Sequence, residues 1–298
     1  MRFLLCIFWA AALATAQPAV DHHLHLLQSA ASPPKEFART AADLIRQLDE
    51  ARIQRGVVLS IAYQFGNPNR PPVANERQRV QAENDWTAQQ AAQYPQRLIA
   101  FCGVNPLKDY ALDEIARCAK DPRLRKGLKL HFGNSDVDLE NPAHLAQLQR
   151  VFAAANRHRM AIVAHIRANY DKRRPWGDRQ ARIFMEQLLP FAKDITVQIA
   201  HVAGAGAYED DVDAALGAFA AAIQSRDKRM KRVYFDVSVV RWDSRTSSLV
   251  RHLRAIGMKR MLYASDGPPL PAWKQFRNLP LTEQEFRQIE NNVAPYLR

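Results

Sequence analysis

The chain has 298 residues, 47% of them hydrophobic, which is enough length and apolar side chain for one large domain with a full core. It carries 42 lysines and arginines against 30 acids, a formal charge of +12, so an acidic partner such as nucleic acid or anionic lipid has to be considered. The basic residues are spread over most predicted helices, and there is neither an aromatic-interleaved RNA motif nor a helix-turn-helix pattern. The reading is a solvated basic surface and no nucleic-acid partner.

Residues 1–16 read as an export signal. Arg2 gives a positive start, residues 3–13 are apolar, and Ala14-Thr15-Ala16 is a small-residue cleavage site, so the mature chain is expected to begin at Gln17 in a periplasmic or extracellular compartment. The apolar run is shorter than the roughly 20 residues a bilayer requires, and nothing later approaches a membrane span.

From there strands and helices alternate. The first strand is Val20-Asp21-His22-His23-Leu24-His25-Leu26, and helical spacing predicts a helix over 41–54 with Gly56 at its C-cap. Predicted strands follow at 56–63, 97–106, 127–132, 161–166, 196–202, 233–240 and 261–266. Predicted helices lie between them at 75–94, 110–119, 142–158, 179–191, 211–224 and 246–256, and a closing helix covers 282–296. Eight strands alternating with eight helices match a single-domain (β/α)₈ TIM barrel in count and length, and near-continuous apolar strands suit a parallel sheet covered on both faces. No Gly-rich phosphate loop follows any strand, which argues against an open doubly wound sheet. Cys102 falls in a strand and Cys118 in the next helix, a separation that favours two buried free thiols over a disulfide.

Residues two apart on a strand share a face, so His23 and His25 point together, with Asp21 beside them and His22 and Leu24 on the other side. Two imidazoles so placed can close on one ion. Further candidate ligands recur at strand ends: His165, His201 and Asp266. In a barrel these C-terminal ends meet at one mouth.

On these motifs, together with Gly127-Leu128-Lys129-Leu130-His131, Ala200-His201-Val202-Ala203-Gly204, Tyr234-Phe235-Asp236-Val237-Ser238 and Ser265-Asp266-Gly267-Pro268, the chain resembles the amidohydrolase superfamily, in its amidohydrolase-related branch. The resemblance runs from Asp21 to the C-terminus. It implies that His23, His25, His165 and Asp266 hold one divalent ion, with Zn²⁺ the first candidate, and that His201 polarises water or substrate. Metal-activated water, Asp266 as proton acceptor and His201 as stabiliser of negative charge would make a hydrolase of a small ester, lactone or amide. Lys129 and His131 share a face of strand four. Lys129 is either a carboxylated bridge between two metals or a cation orienting substrate, and the reading is one metal.

The loop after strand five carries Arg167, Lys172, Arg173, Arg174 and Arg179, of which Arg167, Arg173 and Arg174 are candidate contacts for a substrate carboxylate. Tyr63 and Gln64 after strand two, and Arg241 and Trp242 after strand seven, are expected in the pocket wall. Two alternatives stand beside hydrolysis. One is non-oxidative decarboxylation, because aminocarboxymuconate-semialdehyde decarboxylase and its relatives share the ligand pattern; the other is a non-catalytic barrel that binds an anion. A homo-oligomer stays open.

Overall fold

The computed structural model describes residues 17–27, 37–168, 174–238, 240–241 and 246–298. The expected export signal, Arg173 and Trp242 lie outside the described residues, as does the side chain of Arg241. Eight short runs of aliphatic and aromatic residues form one parallel sheet. They are β1 (Val20–Leu24), β2 (Arg55–Leu59), β3 (Leu98–Gly103), β4 (Gly127–His131), β5 (Ala161–His165), β6 (Val197–Ile199), β8 (Val233–Asp236) and β10 (Met261–Leu262), hydrogen-bonded in that order. Across the remaining seam the His22 amide donates to the Tyr263 carbonyl at 3.1 Å and the Asp266 amide to the His23 carbonyl at 2.8 Å. The sheet therefore curls into a nearly closed barrel, as the strand–helix alternation implied. Two extra strands, β7 (Gly206–Ala207) and β9 (Val240–Arg241), pair in parallel in a separate ribbon.

The helices are α1 (Ala41–Glu50), α2 (Glu76–Ala92), α3 (Ala111–Lys120), α4 (Pro142–Arg157), α5 (Asp178–Ile183), α6 (Asp210–Gln224), α7 (Thr246–Ile256), α8 (Pro269–Phe276) and α9 (Glu283–Asn291). The main apolar core lies between them and the sheet. A second cluster, Val20, Val57, Leu59, Phe101, Ala161 and Val163, fills the barrel interior near the strand N-termini. A Cβ at Gly127 would lie 2.0 Å from the Phe101 ring, so that interior layer needs glycine there. The C-terminal turn seals this end, with Tyr296 packed edge-on to Phe101 at 5.2 Å.

Several expectations are corrected. Helix α1 stops at Glu50, and Arg52 takes the left-handed position at φ 54° that Gly56 was expected to supply; Gly56 lies inside β2 against Leu24. Beyond Ile183 the predicted fifth helix continues as a π turn (Phe184–Leu188) and then a 3₁₀ turn, because Pro190 offers no N–H to the helical ladder. Helix α8 was missed because Pro268, Pro269 and Pro271 read as loop, although proline is tolerated in a first helical turn. Cys102 and Cys118 are bonded as a disulfide with Cα atoms 6.2 Å apart, so the expectation of two free thiols fails. The strand–helix crossing is close enough for a bridge. No helix among the described residues is long and apolar enough to cross a membrane.

Candidate metal centre

The site is assembled at the C-terminal ends of the barrel strands, and its first strand is irregular. The β1–β2 register shifts between Asp21 and Leu24, which turns both His22 and His23 inward. His22 is then part of the barrel floor, its Nε2 accepting from the Ala294 amide at 3.2 Å. Asp21 does not join the pocket as strand alternation suggested. It accepts from the amides of His23 (3.2 Å) and Ser265 (3.1 Å) and ties β1 to the segment before Asp266. Burial raises the Asp21 carboxyl to about 7.

Three imidazoles face one carboxylate. Asp266 Oδ1 lies 3.4 Å from His25 Nε2 and 3.7 Å from His23 Nε2, and its Oδ2 lies 3.7 Å from His201 Nε2. The other ring nitrogens fix the tautomers. His25 Nδ1 donates to the Leu59 carbonyl at 2.6 Å, and His23 Nδ1 donates to Asp236 Oδ2 at 3.1 Å. Ser238 Oγ gives its proton to Asp236 Oδ1 at 2.6 Å, so it accepts from His201 Nδ1 at 2.8 Å. Each Nε2 therefore carries a lone pair on the site side, and that of His23 is engaged by Lys129 Nζ at 2.8 Å, a contact that a metal on this nitrogen would replace. Burial lowers His25 to about 3 and His201 to about 4, keeping both rings neutral. Burial alone would raise Asp266; positive charge on His23, His25, His201 and Lys129 would lower it below its usual value, and with the His25 and His201 rings neutral Lys129 is the neighbour that supplies such charge.

Lone pairs gathered around a buried anion repel one another unless a cation joins them. The donor set therefore fits a divalent ion, with His23, His25 and Asp266 contributing donor atoms all within 4.8 Å of one another. His23, His201 and Asp236 form a second such trio, but Asp236 is already saturated. It accepts from His23, Ser238, Gln198 Nε2 (2.7 Å) and the His201 amide (2.9 Å), so it orients the ligands from outside. Gln198 in turn accepts from the Tyr296 hydroxyl at 2.6 Å, which joins the C-terminal plug to the site.

Lys129 is 1% exposed and donates to His23 Nε2 at 2.8 Å. Burial lowers it to about 8 against the pull of Asp266 and Asp236. His201 sits on strained backbone: His201, Val202 and Ala203 are consecutive left-handed residues at φ 56°, 45° and 66°, and Asp266 is left-handed at φ 47°. Such geometry costs about 1–2 kcal/mol per residue and concentrates at functional sites. Above these groups opens a cavity of about 610 Å³.

A family model described as amidohydrolase matches residues 72–291. The chain belongs to the amidohydrolase family. Among curated proteins no sequence matches this amidohydrolase. Solved structures of similar fold include a 2,6-dihydroxybenzoate decarboxylase from Rhizobium (15% identity, TM-score 0.63, 92% of this chain and 96% of that one). A 5-carboxyvanillate decarboxylase from Novosphingobium aromaticivorans, complexed with manganese and 4-hydroxy-3-methoxy-5-nitrobenzoic acid, is also similar (14%, 0.61, 94% and 95%). A third is a probable 2-pyrone-4,6-dicarboxylic acid hydrolase from Acinetobacter baumannii with citric acid bound (17%, 0.56, 92% and 96%). At these identities the likeness is one of fold.

The other expected residues of this amidohydrolase divide into two groups. Tyr63, Gln64, His131, His165 and Arg167 line the cavity with Lys129. His165 lies flat on His131 (4.0 Å between ring centroids) and edge-on to His201 (4.8 Å), outside the trio of His23, His25 and Asp266. Arg174 does not line the cavity; Asp136 and Asp138 hold it at 2.9 and 3.2 Å. Arg167 reaches the cavity already bound to Glu209 (2.6 Å) and Asp211 (2.9 Å). Sequence reasoning assigned no role to Gln198, Asp236, Ser238, Asn134 or Glu209. The Asp-Val-Ser run at the end of a strand was the one available signal.

Proposed function

We propose that this amidohydrolase is a metal-dependent, non-oxidative decarboxylase of a small carboxylic acid. The observation that carries the reading is the buried Lys129 amine on the floor of the cavity beside the cation-binding donor set. A substrate carboxylate there would lie between Lys129 and the donor set that would hold a divalent ion. Decarboxylation breaks the bond between the carboxylate carbon and its neighbour, leaves the electron pair on that neighbour, and needs one proton returned there. Asp266, a carboxylate facing the cavity with 22% of its side chain, is placed beside His201 to take a proton from water or from the substrate and deliver it to that carbon. A divalent ion held by His23, His25 and Asp266, with His201 or His165 completing the set, would supply Lewis acidity. The nitrogen-rich donors favour Zn²⁺, and the manganese in a structural neighbour makes Mn²⁺ the alternative.

Hydrolysis of a small lactone or ester is the second reading, supported by Asp266 as a proton acceptor and by the fold likeness to a probable pyrone hydrolase. Export remains part of the proposal, supported by the Ala14-Thr15-Ala16 site and by the Cys102–Cys118 disulfide. The deciding experiment assays aromatic and aliphatic carboxylates, with CO₂ detection, beside lactones and esters, on metal-loaded and chelated protein. CO₂ release that Asp266→Asn abolishes is expected. Turnover of lactones alone overturns decarboxylation, and turnover indifferent to Asp266→Asn and His201→Asn overturns the enzymatic reading.

A further inference from the structure

The net charge of the molecule is not spread over its helices as the sequence suggested. The seven connections that run from a helix into the next barrel strand carry fourteen lysines and arginines against four acids. In a (β/α)₈ barrel these connections share the closed end, opposite the active-site mouth. At the mouth, by contrast, three of the described cations are paired with acids: Arg167 with Glu209 and Asp211, Arg174 with Asp136 and Asp138, Lys108 with Glu76.

The densest part of the closed end is the run Arg226-Asp227-Lys228-Arg229-Met230-Lys231-Arg232. With Lys193 it rims a groove of about 280 Å³ whose floor is apolar, built from Leu189, Ala192, Ile195, Val197 and Val233. Asp227 neutralises Arg229 at 2.6 Å, while Lys193, Lys228, Lys231 and Arg232 stand exposed. Beside the groove Phe191 is 39% exposed, the one large hydrophobic so exposed among the described residues. The chain also enters the barrel from this end. Ala19 is anchored by its amide to the Glu290 carbonyl at 2.9 Å just before β1, and the apolar run 3–13 precedes it in sequence.

We propose that the closed end of the barrel is a docking face for an anionic lipid surface. A broad basic face suits a plane of headgroups, where each nearby Lys or Arg adds to the attraction and salt screens it. An exposed aromatic ring beside the groove suits the headgroup boundary. Docked this way, the molecule turns its active-site mouth away from the bilayer and open to dissolved substrate.

The test is cosedimentation of the full chain with vesicles of phosphatidylcholine alone and of phosphatidylcholine with about 30 mol% phosphatidylglycerol, at about 0.1 M and 0.5 M NaCl. Comparison of the two vesicle types subtracts any contribution of the apolar N-terminal run. Anionic vesicles are expected to bind at least about ten-fold more tightly at low salt, with the excess lost at high salt. Lys228→Glu/Lys231→Glu/Arg232→Glu is expected to remove that excess. Arg46→Glu/Arg150→Glu/Arg287→Glu, an equal charge change on outer helix faces, is expected to keep most of it, and circular dichroism checks that both triple variants fold. Phe191→Ser should weaken anionic binding about two- to five-fold. Equal affinity for both vesicle types overturns the proposal, as does equal loss in the two triple variants. Binding to duplex DNA or polyglutamate without vesicle binding overturns it in favour of an acidic macromolecule.

Discussion

Asp236 illustrates how much of a metal site lies outside its ligands. Burial alone would make this carboxyl hard to ionise, but His23 and His201 beside it, with the Ser238 hydroxyl, hold it well below its usual value. As a permanent acceptor it keeps the His23 proton on Nδ1 and holds the His201 amide. Asp236→Ala should therefore weaken divalent-metal affinity about 10- to 100-fold, measured by competition with a chelator. Unchanged affinity would mean that Asp236 is only a core acid. Lys129 tests the other side of the cavity. Lys129→Met should raise KM for a carboxylate substrate roughly ten- to hundred-fold, the value of a charged hydrogen bond, while leaving metal content unchanged. A KM that stays put would remove Lys129 from substrate recognition.

At the level of helices and turns, local chemistry explains the boundaries. Thr40 and Thr282 each form a capping box, with Asp43 and Glu285, and those two starts were readable as Thr followed three residues later by an acid. Arg52 is different: nothing about arginine announces a left-handed residue, and the exposed side chain there has no compensating role in the core. Arg52→Gly should stabilise the protein by about 1 kcal/mol, seen as a rise in Tm of about 2–4 °C. Glu285 also ties α9 to α7 through Arg254 at 2.7 Å. That partnership outweighs its partial burial and, with the Thr282 cap, lowers Glu285 to about 2. A lowered carboxylate stabilises the fold above its unfolded value of about 4.5 and loses that effect as pH falls toward 2. The Tm gap between the wild type and Glu285→Gln should stay constant from about pH 8 to 5 and narrow below about pH 4.5. A gap indifferent to pH would exclude the carboxylate as its source.

For the molecule as a whole, the Cys102–Cys118 bridge closes a loop of 16 residues between β3 and α3. Loop-closure entropy assigns it about 3 kcal/mol, so reduction should lower Tm by about 6 °C or more. Cys102→Ala/Cys118→Ala should then be insensitive to reductant. The barrel itself was legible in the residues, because apolar runs every 30 or so positions can be buried only by pairing in parallel under helices. The candidate ligands were legible too, because His, Lys and Asp at the ends of such runs have few reasons to be there. Strand alternation was not enough to orient them. A register shift in β1 turned His22 inward and Asp21 aside, and three left-handed residues placed His201 opposite Asp266. Such irregularities leave no period in the sequence. By itself the chain determined which residues could bind a cation and that a barrel would gather them. Only the tertiary structure decided which nitrogens keep their lone pairs, since that depends on Leu59, Asp236 and Ser238, brought to those rings by strands far away in sequence.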